Sequence, residues 1–148
     1  MAESEQRLGV GDVEVLEVWN RLEADSSALL IDVRTQAEWA FVGLPDLSAV
    51  GKQLIAIEWQ MFPGGQLNPS FSDQLSFELN KLGAGANTDL FFLCRSGSRS
   101  LAAAQAMAAA GYRACHNVAG GFEGPPDGQR HRGSIAGWKA AGLPWRQG

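Results

Sequence analysis

The chain has 148 residues, of which 45% are apolar and 19% charged, so it can bury a full core without disulfide or metal staples. Its 12 Lys/Arg against 16 Asp/Glu give a net charge of −4, and the basic residues form no dense cluster or aromatic-interleaved stripe, which argues against nucleic acid as a partner. No apolar run approaches the roughly 18 residues a membrane helix needs, and the polar, acidic start MAESEQRLGV does not resemble a secretory signal; the expectation is one cytoplasmic domain over residues 1–148, with its core in about 10–146.

Val15, Val18, Trp19 and Leu22 recur at helical spacing and predict a helix over 12–24, with Asp12 as its N-cap. The apolar run 28–33 (ALLIDV) predicts a buried parallel strand. Residues 34–39 start a short helix, and 42–48 read as a turn around Gly43 and Pro45. A second strand is expected over 54–59, then a long loop. Phe71, Leu75, Leu79 and Leu82 mark a further amphipathic helix, ended by the glycines of 83–87.

LFFL (90–93) is the clearest strand. An alanine-rich helix follows over 98–110, stopped by Gly111. ACHNV (114–118) reads as the last strand, 119–134 as a long Gly/Pro/Arg loop, and 135–145 as a short terminal helix. Strands alternating with helices predict an α/β fold: an open parallel sheet of about five strands with helices on both faces. In such sheets ligands sit beyond the carboxyl ends of the strands, where Cys94 lies.

Two cysteines, Cys94 and Cys115, and two histidines in no ligand-like spacing argue against a structural disulfide or a metal site. Residues 1–90 hold 5 Lys/Arg and 14 Asp/Glu, giving −9, whereas 91–148 hold 7 and 2, giving +5. The positive part carries Cys94 and suits an anion. In the loop CRSGSR (94–99), Gly97 permits a tight turn. The amides of Arg95, Ser96, Gly97 and Ser98 could form an anion-binding nest, with the start of the next helix adding its dipole. Together with Arg95 and Arg99 these features favour a nucleophilic thiolate at Cys94.

CRSGSR resembles the Cys-x-x-Gly-x-Arg active-site loop of the rhodanese family of sulfurtransferases, matched at Cys94, Gly97 and Arg99. LLIDVRTQAEW (29–39), NVAGGF (117–122) and GWKAAGLPW (137–145) resemble three further segments of that family, in the same order. The resemblance implies a persulfide on Cys94, a small anionic donor such as thiosulfate, and a thiol or cyanide acceptor, which could be carried by a partner protein. It implies no separate cofactor. Arg95 and Arg99 are both candidates for binding the anionic donor or for bracing the loop, with Arg95 expected to face solvent and substrate and Arg99 to brace.

The carboxylates of Asp32 and Glu38 are candidates for a base, but a thiolate held by its loop needs none; with Arg34 they read as a supporting ion-pair network. Cys115 and His116 read as strand residues and His131 as a surface one. The family's histidine after Glu38-Trp39 is replaced here by the Gly43-Leu44-Pro45-Asp46 turn. Two loops, 58–71 and 123–134, are longer than the pattern needs and are candidates for walls of the pocket or for a docking surface. Two rival functions remain: a cysteine phosphatase or arsenate reductase, whose Cys-x5-Arg loop is one residue longer, and a non-catalytic module of this family that carries sulfur or binds a protein.

Overall fold

The computed structural model describes residues 9–148. Its elements are β1 (Gly11–Val13), α1 (Val15–Ala24), β2 (Leu29–Asp32), α2 (Gln36–Val42), β3 (Leu44–Pro45), β4 (Ile55–Ala56), α3 (Phe71–Lys81), β5 (Leu90–Leu93), α4 (Ser98–Ala109), β6 (Cys115–Val118) and β7 (Trp145–Arg146). Five strands form one parallel sheet in the order β1-β6-β5-β2-β4, and β3 and β7 form a small antiparallel pair. The fold is α/β, as the alternation of segments predicts.

Strands buried on both faces explain the unbroken apolar runs. Side chains alternate, so Leu29, Ile31, Leu90 and Phe92 face α3 and α4, while Leu30, Phe91, Leu93 and Val118 face α1. On α4, Ser100, Ala103, Ala104 and Met107 are buried, an i, i+3, i+4, i+7 stripe. Its small residues let the helix lie close on the sheet.

Four expectations change. Asp12 is not an N-cap: it lies in edge strand β1, opposite Asn117, and α1 begins after Glu14 with no side-chain cap. A three-residue edge strand is too short for periodicity to reveal. The strand expected over 54–59 shrinks to Ile55–Ala56, because only that part stays in register with β2. The turn at 42–48 contains β3, which pairs with β7. No helix forms over 135–145; that segment runs as turns, with Trp138 fully buried and its Nε1 donating to Pro144 O at 2.7 Å. Gly137 and Gly142 both have positive φ, which an α-helix does not allow.

No helix among the described residues is long and apolar enough to cross a membrane.

Candidate active site

β2 and β5 pair from Leu29↔Leu90 to Asp32↔Leu93, which brings Asp32 beside the residue before Cys94. The chain then leaves the sheet at Cys94 and re-enters helical geometry at Ser98. Gly97 makes that junction with φ 126°, a region L side chains rarely adopt. Its N–H donates to Cys94 Sγ at 3.1 Å. The first amides of α4 have no intrahelical acceptor and point towards the same end of the sheet. Cys94 is 1% exposed, whereas Arg95, Ser96 and Ser98 are exposed.

The outer side of the loop is pinned by backbone. Phe122 N donates to Cys94 O at 2.8 Å, and Glu123 N and Gly124 N donate to Arg95 O at 2.9 and 3.1 Å. This contact is so close that a β-carbon on Gly121 would lie 2.5 Å from Cys94 O. Trp138 N and Lys139 N in turn donate to Gly121 O and Phe122 O. The motif segments around 32–38, 94–100, 117–122 and 137–145 therefore meet at one end of the sheet.

Two Arg–carboxylate pairs flank the loop. Arg34 and Asp32 are both fully buried; Nε donates to Oδ1 at 3.0 Å and Nη2 to Oδ2 at 2.7 Å, and Nη2 also donates to Gly43 O. The guanidinium lies 4.2 Å from the Phe122 ring centroid, so this pair ties β2, the 43–46 turn and the segment beneath the loop together. Arg99 forks onto Glu38, Nη1 to Oε1 at 2.7 Å and Nη2 to Oε2 at 2.9 Å. Glu38 also completes a capping box with Thr35. Its hydrogen bond raises the Arg99 guanidinium above the ordinary value. Burial alone would push Glu38 up, but the hydrogen bonds and charge of Arg99, with Thr35, hold it below the usual carboxylate value.

Cys115 sits opposite Leu90, four residues before Cys94 along β5. At about 3.3 Å per residue the two cysteines are ~13 Å apart along the sheet, beyond disulfide reach. Burial pushes the Cys115 thiol up to about 12. His116 lies 2.7 Å from Asp89 and stacks on Phe91, at the far end of the same strands. His131 is exposed, in a loop organised by Asp127.

Of the two long loops, the second hydrogen-bonds to the cysteine loop, through Glu123 and Gly124. Glu58, Met61 and Asn68 of the first line a different feature, an open groove of about 930 Å³ along β4 that none of residues 94–99 lines.

Sequence reasoning missed the groups behind the sulfur. Ser100 Oγ lies 3.2 Å from Cys94 Sγ and 2.6 Å from Asn117 Oδ1. Asn117 Nδ2 donates to Asp12 Oδ1 at 3.0 Å and to Gly97 O at 3.1 Å. Ser100 and Asn117 are both buried. The available signal was a serine in the apolar stripe of α4 and an asparagine in an apolar strand, since buried polar groups need partners.

The model of the STR4 middle domain matches residues 10–148. The crystal structure of Rv0390 from M. tuberculosis is 42% identical, with a TM-score of 0.83; the match covers 94% of this chain and 98% of that one. An uncharacterized protein of Rickettsia prowazekii is 39% identical over 128 residues, covering 86% of this chain and 90% of that protein. Rhodanese-like domain-containing protein 4 of Arabidopsis thaliana is 28% identical over 127 residues, which are 86% of this chain and 24% of that longer protein. The Cys94 loop thus sits within a chain that belongs to the STR4 middle-domain family, a family of rhodanese-like domains.

Proposed function

We propose that the protein is a sulfurtransferase that carries a sulfane sulfur as a persulfide on Cys94. The observation that carries this reading is the position of Cys94 Sγ, 3.1 Å from the Gly97 N–H at the start of α4. A sulfur there meets a backbone donor and a helix N-terminus, both of which stabilise negative charge.

The reaction balances as two displacements. The Cys94 thiolate attacks the outer sulfur of thiosulfate, the S–S bond breaks, and its electron pair leaves with sulfite. The persulfide then gives its outer sulfur to cyanide or a thiolate acceptor, and the broken S–S bond returns its pair to Cys94. Arg95, exposed on the loop, draws in the anionic donor. Ser96 and Ser98 stand beside it on the loop, and Asp32 and Arg34 hold the strand end beneath. The 1% exposure of Cys94 favours donors that present one narrow sulfur atom. No cofactor or metal takes part; the compartment is the cytoplasm, and the acceptor thiol is free or borne by a partner protein.

A phosphatase reading fits less well. The loop is one residue short of Cys-x5-Arg, and both Nη atoms of Arg99 donate to Glu38, so its fork is not turned to a phosphate. A binding module that never forms a persulfide is the other alternative.

Intact-mass analysis after thiosulfate treatment tests the proposal. Wild type should gain one sulfur, removable by cyanide, and Cys94→Ala should gain none. A wild type without the adduct, or an equal adduct in Cys94→Ala, overturns it. Arg95→Ala should raise KM for thiosulfate about tenfold, the loss of one charge-assisted contact of ~1.4 kcal/mol, with little change in stability.

A further inference from the structure

Behind Cys94 runs a chain of polar groups that the transfer reaction by itself does not use, from the exposed Asp12 through the buried Asn117 to the buried Ser100. Its directions follow from what each atom can donate. Asn117 Nδ2 has two protons, and its two neighbours, Asp12 Oδ1 and Gly97 O, are both acceptors. This fixes the amide, so Oδ1 is the end that faces Ser100.

Ser100 Oγ carries one proton and has three neighbours: Asn117 Oδ1 at 2.6 Å, Cys94 Sγ at 3.2 Å and Gly97 O at 3.2 Å. Asn117 Oδ1 can only accept, and it is the nearest by 0.6 Å. Donation from Asn117 to the Asp12 carboxylate further polarises that oxygen, because hydrogen bonds in series strengthen one another. The Ser100 proton therefore points to Asn117, and a lone pair is left facing the sulfur.

We infer that Ser100 meets Cys94 as an acceptor, held in that state by Asn117 and Asp12, and so favours the protonated thiol of the resting protein. Gly97 N–H plays the opposite part, since it donates to the anion. Asn117 is on this view a positioning residue, acting on Cys94 only through the Ser100 hydroxyl. The inference rests on Cys94 being the reactive thiol proposed above.

The sign of one substitution separates this from the simpler idea that Ser100 donates to the thiolate. The experiment titrates the ultraviolet absorbance of the Cys94 thiolate in the full chain, with Cys94→Ala subtracted. Cys115, pushed up to about 12 by burial, stays outside the window. The charged groups around the loop are Asp12 on β1, Asp32 and Arg34 by β2, Glu38 on α2, Arg95 and Arg99 of the loop, and Glu123; none changes in the variants used.

Ser100→Ala removes the acceptor and should move the midpoint to lower pH by about half a unit, the scale of one modest hydrogen bond. Asn117→Leu frees the Ser100 proton to be shared between the sulfur and Gly97 O, both at 3.2 Å, and should move it lower by about half a unit to one unit. In the Ser100→Ala background, Asn117→Leu should add nothing. A Ser100→Ala midpoint that rises or stays put overturns the inference, and so does an Asn117→Leu effect that survives without the hydroxyl. If Asn117→Leu fails to fold by circular dichroism, the sign of Ser100→Ala alone decides. The readout needs no sulfur donor, so it stands apart from the persulfide test.

Discussion

Replacing Asp32 by alanine should destabilise the protein severely. Asp32 and Arg34 are each 0% exposed, and Asp32 accepts from Arg34 Nε, Nη2 and backbone N–H. Asp32→Ala leaves a buried guanidinium with Gly43 O at 2.8 Å and the Phe122 ring as its remaining partners. Removing one member of a buried pair typically costs about 3–5 kcal/mol. The lower half of that range applies here, since the carbonyl and the ring still compensate part of the charge. A loss of ~3.5 kcal/mol is a large share of the ~5–15 kcal/mol of a whole domain, and at about 3 °C per kcal/mol it lowers Tm by ~10 °C. Urea unfolding under reducing conditions measures it directly. Asp32→Leu with Arg34→Met removes both charges and should recover at least half of the loss, because no ion is left unpaired. A single-variant loss below ~1 kcal/mol with unchanged urea dependence would refute the reasoning, as would a double variant no better than the single.

The Glu38–Arg99 pair is weaker, because its side chains are 20% and 19% exposed. Glu38→Gln should cost about 1 kcal/mol by urea unfolding at neutral pH. Glu38 is held below its ordinary value of 4.5, so its contribution is complete above that pH and fades as pH falls through the lower folded-state value. The gap between wild type and Glu38→Gln should therefore close in acid; a gap that widens there would contradict the ion pair. Gly121→Ala should disrupt the cysteine loop, since its β-carbon would fall 2.5 Å from Cys94 O at φ 62°; persulfide yield should drop at least tenfold even where the protein still folds, and full yield would show that the loop tolerates the displacement. Alkylation of the native protein near pH 8 should leave Cys115 unlabelled, its thiol being pushed up to about 12 by burial; equal labelling of both cysteines, read by peptide mass mapping, would contradict its placement.

Much of the fold is legible in the sequence because its signals are local. LFFL is a continuous apolar run, and LLID is one up to its closing Asp32, as strands buried on both faces require. Phe71, Leu75 and Leu79 mark α3 by spacing alone. The loop 94–99 is local too: one cysteine, one glycine in a conformation few other residues adopt, and the first turn of a helix. Its place at the end of a strand follows from order along the chain.

What local pattern could not supply is pairing between distant segments. β1 is three residues long and exists because β6 lies beside it. The segment 135–145 has helical composition but is turned by Gly137 and Gly142, and its backbone is recruited by Gly121 and Phe122. The same holds at the site. Cys94, Gly97 and Arg99 are visible as a motif, whereas Asp12, Asn117 and Ser100 become one polar chain only when β1, β6 and α4 converge behind the sulfur. The cysteine and its turn are properties of six consecutive residues. The polar groups beside that cysteine belong to three elements up to 105 residues apart, and only tertiary packing brings them together.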